Sequence, residues 1–132
     1  MDYFLARDID YLTTDEPEKA LVRNARFAKE KRKLVWSDEF NYTGLPDATK
    51  WGYDVGGKGW GNNELQYYTN ADTSNALVKN GILSITARKS KFENRDYTSA
   101  RLLTKGKAEW TYGRIEVRAK LPKGRGTWPA IW

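Results

Sequence analysis

Apolar and charged residues alternate along residues 114–121 with a period of two, which is the pattern of a β-strand with one face in a core and one in water. The apolar positions are Ile115, Val117, Ala119 and Leu121, and the charged positions are Arg114, Glu116, Arg118 and Lys120. Two indoles, Trp128 and Trp132, follow this segment. The pattern predicts β-structure in this part of the chain.

The strongest hairpin signal lies at Asn80-Gly81, between two apolar runs at residues 76–79 and 82–87. Asn-Gly suits the two positive-φ positions of a type I′ turn. Such a turn fixes the register of its strands and so decides which side chains face inward. Weaker turn signals at residues 105–106 and 112–113 separate further short strands. The pattern therefore predicts an all-β fold for residues 34–132.

The organisation of the chain changes near Lys33. Thr14, followed by acidic residues and Pro17, is typical of a helix start, and the basic residues toward Lys33 suit a helix C-terminus. We predict a helix from about residue 15 to residue 31, within an N-terminal extension of residues 1–33. Charged residues interrupt the first apolar stretch of the chain, so we expect neither a signal peptide nor a membrane span there.

Composition excludes several kinds of chemistry. The 132 residues include neither cysteine nor histidine, which excludes disulfides, thiolate zinc sites, cysteine nucleophiles and imidazole-dependent triads. The formal charge of +6 is compatible with a polyanionic partner. Many basic residues, however, alternate along a predicted strand, and this favours a solvated sheet face. We therefore expect no nucleic-acid partner.

Aromatic residues are abundant, with six tryptophans and eight tyrosines. Packing in a β-sandwich interior is the default interpretation for most of them, including Trp36 and Trp51. Residues 56–59 read Gly-Gly-Lys-Gly and lack the Gly-Lys-Ser/Thr ending of a phosphate-binding loop. We interpret them as a flexible loop that lets Trp60 approach a ligand.

Several motifs, in order, resemble the laminarinase-like branch of glycoside hydrolase family 16, enzymes that cut β-glucans on a concanavalin-like β-sandwich, or jelly roll. The motifs are residues 34–40 as an opening strand, residues 60–69 as a substrate-side loop, Asn80-Gly81, and residues 98–102, 112–122 and 126–132. The resemblance implies that residues 34–132 are the N-terminal portion of such a domain. Because family domains are considerably larger, the sandwich should be incomplete, with unpaired strand edges and exposed apolar faces.

The resemblance also implies a set of substrate-binding residues. Those that match glucose subsites on the non-reducing side of the cleavage point are Asn62, Arg101, Trp128 and Trp132, with Trp60 and Glu64 as further candidates at the same cleft. A pyranose has an apolar face and a rim of hydroxyls, so flat aromatics, amides and an arginine fork suit it. Each has a structural alternative, since asparagines are common in turns, arginine pairs with surface acids and indoles fill cores.

We nominate no catalytic residue in this chain. Retaining glycosidases need two carboxyl groups about 5 to 5.5 Å apart, whereas Asp38 and Glu39 are neighbours on a predicted strand and should point to opposite faces. In the family, the nucleophile and the acid/base are glutamates of a Glu-Ile-Asp-Ile-Met-Glu strand after the Trp-Pro segment, and this chain stops before it. We expect the 132 residues alone to be inactive. The family also implies a structural calcium ion, with Glu39 as one candidate ligand, and no required cofactor.

Three functions remain open. The first is a retaining endo-β-1,3-glucanase, or a relative acting on mixed-linkage glucan. The second is a non-catalytic β-glucan-recognition module, and the third is a basic structural or polyanion-binding β-domain whose binding would depend strongly on salt. For the first two we expect a β-glucan partner, no membrane partner, a monomer, and an extracellular or cell-envelope location.

Overall fold

The computed structural model describes residues 11–14 and 33–132, and within these ranges every helix or strand element is a β-strand. The strands are β1 (Tyr11–Thr14), β2 (Gly52–Tyr53), β3 (Gln66–Tyr68), β4 (Ala76–Lys79), β5 (Ile82–Ile85), β6 (Arg88–Phe92), β7 (Arg95–Ser99), β8 (Leu102–Leu103) and β9 (Ile115–Arg118). The all-β prediction is confirmed for these residues. The helix predicted over residues 15–31 lies outside them. None of the described segments is a helix that could cross a membrane.

The chain divides into two compact units, and each is described by itself. One unit is Leu34–Glu109, and the other combines Met1–Lys33 with Trp110–Trp132. In the second unit β1 and β9 pair in parallel, with Tyr11 opposite Ile115. The predicted domain boundary after Lys33 stays a prediction.

Three small sheets build the Leu34–Glu109 unit. β2 pairs with β8 and β4 pairs with β5, both antiparallel, while β7 lies between a parallel β3 and an antiparallel β6. Two isolated antiparallel bridges join Gly44 to Val78 and Gly56 to Tyr68. The second bridge holds the glycine-rich loop against β3, and so positions the residues that follow it.

The hairpin predicted at Asn80-Gly81 is confirmed. Lys79 lies opposite Ile82, which leaves a two-residue loop between β4 and β5. The φ angles of Asn80 and Gly81 are 54° and 74°, as a type I′ turn requires. On β4, Ala76 is buried and Lys79 is exposed, so the turn sets the register that buries the apolar positions of this strand.

The interior of this unit combines small apolar side chains with a buried polar cluster around Asn75. Asn75 Nδ2 donates to the carbonyl of Thr86 at 2.9 Å and to Thr98 Oγ1 at 3.1 Å, and Thr69 Oγ1 donates to Asn75 Oδ1 at 3.0 Å. Thr69 follows β3, Thr86 follows β5 and Thr98 lies in β7. One buried side chain therefore ties two sheets together.

The opening strand predicted over residues 34–40 is wrong, because no strand forms there. Phe40 has a φ of 54°, which lies outside the β region. The carboxylate of Asp38 accepts a hydrogen bond from the backbone N–H of Phe40 at 3.0 Å, and this local bond competes with an extended ladder. Asp38 and Glu39 are therefore not strand neighbours on opposite faces of a sheet.

Asp38 is instead the centre of a cluster with aromatic neighbours. Its Oδ2 accepts from Trp51 Nε1 at 2.8 Å and from the Tyr42 hydroxyl at 3.0 Å. Trp51 packs edge-on against Trp36, with ring centroids 5.5 Å apart, and stacks on Phe40 at 6.2 Å. Trp36 and Trp51 are half-buried, so the prediction that they pack in the interior is confirmed only in part.

The strand predicted over residues 114–121 is shorter than its alternating pattern. β9 ends at Arg118, and its four residues pair with those of β1. Val117 is half-buried, but Ile115 and Leu121 are exposed. In the Leu34–Glu109 unit, Ile82 and Ile85 on β5 are also exposed. Exposed apolar faces of this kind were expected from the resemblance.

Candidate functional site

Asp54 and Arg101 face each other at one end of the β2–β8 ladder. The backbone N–H of Asp54 donates to the carbonyl of Arg101 at 2.9 Å and so extends the ladder by one bond. The side chains also meet, since Arg101 Nε donates to Asp54 Oδ2 at 3.0 Å. A charge-assisted bond beside a fixed backbone orients the guanidinium.

The same guanidinium lies over two aromatic rings. Arg101 Cζ is 4.6 Å from the centroid of the Trp60 ring and 5.9 Å from that of Tyr68, both within the range of a cation–π contact. Trp60 and Tyr68 pack edge-on at 5.8 Å, and Trp60 Nε1 donates to the carbonyl of Gly56 at 3.4 Å. The aromatic pair and the arginine thus form one packed group.

Polar side chains extend this group from Tyr68 to the loop before β3. Glu64 Oε2 accepts from the Tyr68 hydroxyl at 2.6 Å and from Gln66 Nε2 at 2.9 Å, while Glu64 Oε1 accepts from Asn62 Nδ2 at 3.2 Å. Gln66 Nε2 also lies 2.7 Å from the Tyr68 oxygen. Both carboxylate oxygens of Glu64 are therefore engaged, and the side chain is held in one place.

The electrostatics of the cluster keep Tyr68 protonated. Burial raises the pKa of the Tyr68 hydroxyl above its ordinary value of 10.0, and the hydrogen bond to Glu64 raises the pKa further, while the bond from Gln66 and the charge of Arg101 oppose these effects. The hydroxyl can therefore act as a donor at neutral pH. We call the group formed by Asp54, Trp60, Asn62, Glu64, Gln66, Tyr68 and Arg101 the Arg101 cluster.

Comparison with known proteins assigns the family. A family model described as "Beta-glucan synthesis-associated protein SKN1/KRE6/Sbg1" matches residues 4–132. A "Beta-glucanase" of Rhodothermus marinus is 69% identical over 100 residues, which cover 76% of this chain and 35% of the relative. The chain belongs to this family, in the laminarinase-like branch of glycoside hydrolase family 16.

Further relatives of this family-16 chain support the same family assignment. A "Glucan endo-1,3-beta-glucosidase" of Cryptopygus antarcticus is 43% identical over 117 residues, covering 85% of this chain and 42% of the relative. The laminarinase structure from Rhodothermus marinus matches with a TM-score of 0.61 at 67% identity, over 61% of this chain and 32% of that one. The chain spans about 35–42% of these two curated relatives' length. The likeness is consistent with the β-sandwich of family 16.

The structure brings together four of the six residues that the family-16 resemblance named. Trp60, Asn62, Glu64 and Arg101 share the Arg101 cluster. The other two, Trp128 and Trp132, belong to the other unit, where each is 74% exposed. The binding roles of all six stay predictions.

Sequence reasoning missed Asp54, Gln66 and Tyr68. A signal for two of them was present, because Gln66 and Tyr68 are spaced by two residues and so share one face of β3, and Glu64 precedes them at the same spacing. Asp54 carried no comparable signal, since its partner Arg101 is 47 residues away in the sequence. The surface acid that was expected as an alternative partner for Arg101 is thus part of the cluster.

The calcium assignment to Glu39 also stays a prediction. Residues 11–14 and 33–132 contain no group of three or more acidic side chains arranged to hold a metal ion. Glu39 is exposed and borders an open cavity of about 270 Å³ together with Asp38 and Asp47. Asp38 Oδ2 accepts hydrogen bonds from Trp51 and Tyr42, and Oδ1 accepts one from the backbone N–H of Phe40.

Proposed function

We propose that the whole protein is a retaining endo-β-1,3-glucanase and that the Arg101 cluster binds a glucose ring on the non-reducing side of the cleavage point. The observation that carries the proposal is the placement of Arg101, which is paired with Asp54 and stacked on Trp60 within one packed group. The names of the relatives support the substrate class, since they include a laminarinase and a glucan endo-1,3-beta-glucosidase.

The chemistry of the cluster suits a pyranose. Trp60 and Tyr68 offer aromatic surface to the apolar C–H face of the ring, while Arg101 and Asn62 offer donors to its equatorial hydroxyls. Glu64 accepts three hydrogen bonds from its neighbours, so we assign it a positioning role. The carboxylates that break the glycosidic bond are expected on the Glu-Ile-Asp-Ile-Met-Glu strand of the family.

The test compares laminarin binding with hydrolysis. Laminarin is titrated into this chain, and reducing ends are counted for this chain and for the same chain joined to the following strands of the Rhodothermus marinus relative. We expect binding by both and hydrolysis by the joined chain alone. Hydrolysis by the 132 residues would place the catalytic carboxylates within them, and loss of binding in both would overturn the role of the Arg101 cluster.

A β-glucan-recognition module is the second candidate. One observation favours it: a "Beta-1,3-glucan-binding protein" of Penaeus monodon is 60% identical over 35 residues, which cover 26% of this chain. This function predicts laminarin binding with no hydrolysis in either form of the experiment above. For both functions we expect an extracellular or cell-envelope location and a monomeric protein with β-glucan as its partner.

A further inference from the structure

Residues 39–43 carry a motif that the proposed function does not use. They read Glu-Phe-Asn-Tyr-Thr, and Asn41-Tyr42-Thr43 is the one Asn-x-Ser/Thr tripeptide in the sequence. Such a tripeptide is the acceptor for N-linked glycosylation when it lies on the surface of an exported protein. Because a tripeptide also occurs by chance, the surroundings of Asn41 decide whether it can serve as an acceptor.

The motif lies on the surface of the Leu34–Glu109 unit and outside its strands. Exposed and half-buried residues alternate along it. Glu39, Asn41 and Thr43 are exposed, whereas Phe40 and Tyr42 are half-buried. The asparagine and the threonine that define the tripeptide are therefore both accessible from solvent.

The Asp38 carboxylate holds the two neighbours of Asn41 in place. Its Oδ1 accepts from the backbone N–H of Phe40 at 3.0 Å, and its Oδ2 accepts from the Tyr42 hydroxyl at 3.0 Å. The Tyr42 oxygen in turn accepts from the backbone N–H of Asp47 at 3.0 Å. Since residues on both sides are anchored toward the protein, Asn41 is presented at the tip of this segment.

The side-chain amide of Asn41 is available for reaction. Within residues 11–14 and 33–132, it makes no hydrogen bond. Its closest approach to the β4–β5 turn is at Gly81, where a Cβ would lie 4.0 Å from Asn41 Oδ1. Substitution of an amide hydrogen by a sugar therefore breaks no hydrogen bond of this part of the fold.

We propose that Asn41 is an acceptor for N-linked glycosylation by the bacterial class of oligosaccharyltransferase that requires an acidic residue two positions before the asparagine. Glu39 supplies that residue, and its exposed carboxylate can pair with a cationic side chain of the enzyme. The Thr43 hydroxyl can donate and accept hydrogen bonds in the same enzyme site. The inference goes beyond the proposed function and rests on the extracellular or cell-envelope location expected with it.

The reaction needs a lipid-pyrophosphate-linked oligosaccharide as donor. A bond forms between Asn41 Nδ2 and the anomeric carbon of the first sugar, while the bond from that carbon to the pyrophosphate oxygen breaks. Lipid pyrophosphate is the leaving group, and the amide proton passes through a base of the transferase to solvent. No group is oxidised or reduced.

A glycan on Asn41 would lie beside the β4–β5 turn. Ile82, which follows Gly81 in this turn, is 61% exposed. A bulky, hydrated glycan would therefore shield apolar surface of β5 from association with other molecules.

The test exports this chain to the periplasm of a bacterial host that carries such a transferase and its donor. Mass spectrometry reads the tryptic peptide of residues 34–50, in which Asn41 is the one asparagine. We expect the glycan in the unsubstituted chain and in Thr43→Ser, and none in Asn41→Gln or Thr43→Ala. Thr73→Ala is the matched control and should keep the glycan, since Thr73 is also exposed but lies two positions after Ala71.

The role of Glu39 has its own variant. Glu39→Gln should lower the ratio of glycosylated to bare peptide about tenfold, because one charge-assisted hydrogen bond to the enzyme is lost. Glu93→Gln is the control, since Glu93 is exposed and lies outside the motif. An unchanged ratio in Glu39→Gln would overturn the assignment to the acid-requiring class.

The remaining outcomes separate this inference from the proposed function. A bare peptide in cells that glycosylate a reference acceptor protein would overturn the proposal, as would glycosylation that persists in Thr43→Ala. Laminarin binding is titrated separately. Asn41 and Thr43 are outside the Arg101 cluster, so the glycosylated chain should bind laminarin as the bare chain does. Failure of the bare chain to bind would overturn the proposed function without altering the glycosylation result.

Discussion

Arg101 is the residue on which the candidate site depends, because its orientation is set by partners from separate parts of the chain. Asp54 holds Nε at 3.0 Å, and Trp60 lies beneath the guanidinium at 4.6 Å. The Asp54 side chain is 39% exposed, so water screens the ion pair. Such pairs add little to stability, and the value of this one lies in positioning.

We therefore predict that Asp54→Asn weakens laminarin binding about three- to tenfold, because the amide cannot hold the guanidinium by charge. The free energy of unfolding should fall by less than about 1 kcal/mol, as for an exposed pair. Calorimetric titration and urea unfolding measure the two effects. Asp96→Asn is the matched control, since Asp96 is exposed on β7 and is not a member of the Arg101 cluster. A larger loss of stability than of binding would contradict a positioning role.

At the scale of elements, the β4–β5 hairpin is set by local chemistry. Gly81 has a φ of 74° in the turn, and this angle is costly for a residue with a Cβ. We predict that Gly81→Ala lowers the free energy of unfolding by about 1 kcal/mol, measured by urea unfolding. Gly52→Ala is the control, since Gly52 has no positive φ and a Cβ there would meet no atom closer than 3.6 Å. Equal losses in both variants would contradict the turn argument.

The elements also show what the sequence could predict. The Asn80-Gly81 turn was predictable because two adjacent residues carry its whole signal. The opening segment was not, because one hydrogen bond from the backbone N–H of Phe40 to the Asp38 carboxylate overrides an apolar pattern that suits a strand. In the candidate site, Glu64 and Arg101 came from the family motif. Asp54 was missed, because a contact across 47 residues leaves no local pattern.

At the scale of the whole Leu34–Glu109 unit, Asn75 links sheets that share little apolar core. It is 1% exposed and bonds to Thr69, Thr86 and Thr98. We predict that Asn75→Ala lowers the free energy of unfolding by about 2 to 4 kcal/mol, since it leaves buried partners unsatisfied. Urea unfolding followed by tryptophan fluorescence measures the loss. Asn70→Ala, at an exposed position, should change stability by less than about 0.5 kcal/mol, and a similar small change at Asn75 would show that the cluster is dispensable.

The dependence of this unit's stability on pH follows from two turn carboxylates. Hydrogen bonds from Thr49 hold the pKa of Asp47 below its ordinary value of 3.8, and those from Ser74 do the same for Asp72. A carboxyl whose pKa is lower in the folded state stabilises that state above the unfolded pKa, and this contribution is lost as the pH falls through the folded pKa. Stability should therefore be flat from pH 7 to about 5 and should fall below about pH 4.

The variant that tests this origin is the double substitution Asp47→Asn and Asp72→Asn, because the amide oxygen can still accept the turn hydrogen bonds but cannot titrate. We predict a smaller loss of stability between pH 5 and pH 3 in this variant than in the unsubstituted protein, measured as the urea midpoint at each pH. Asp96→Asn should keep the full decline. An unchanged decline in the double variant would show that other carboxylates cause the loss of stability in acid, and would contradict the role of Asp47 and Asp72.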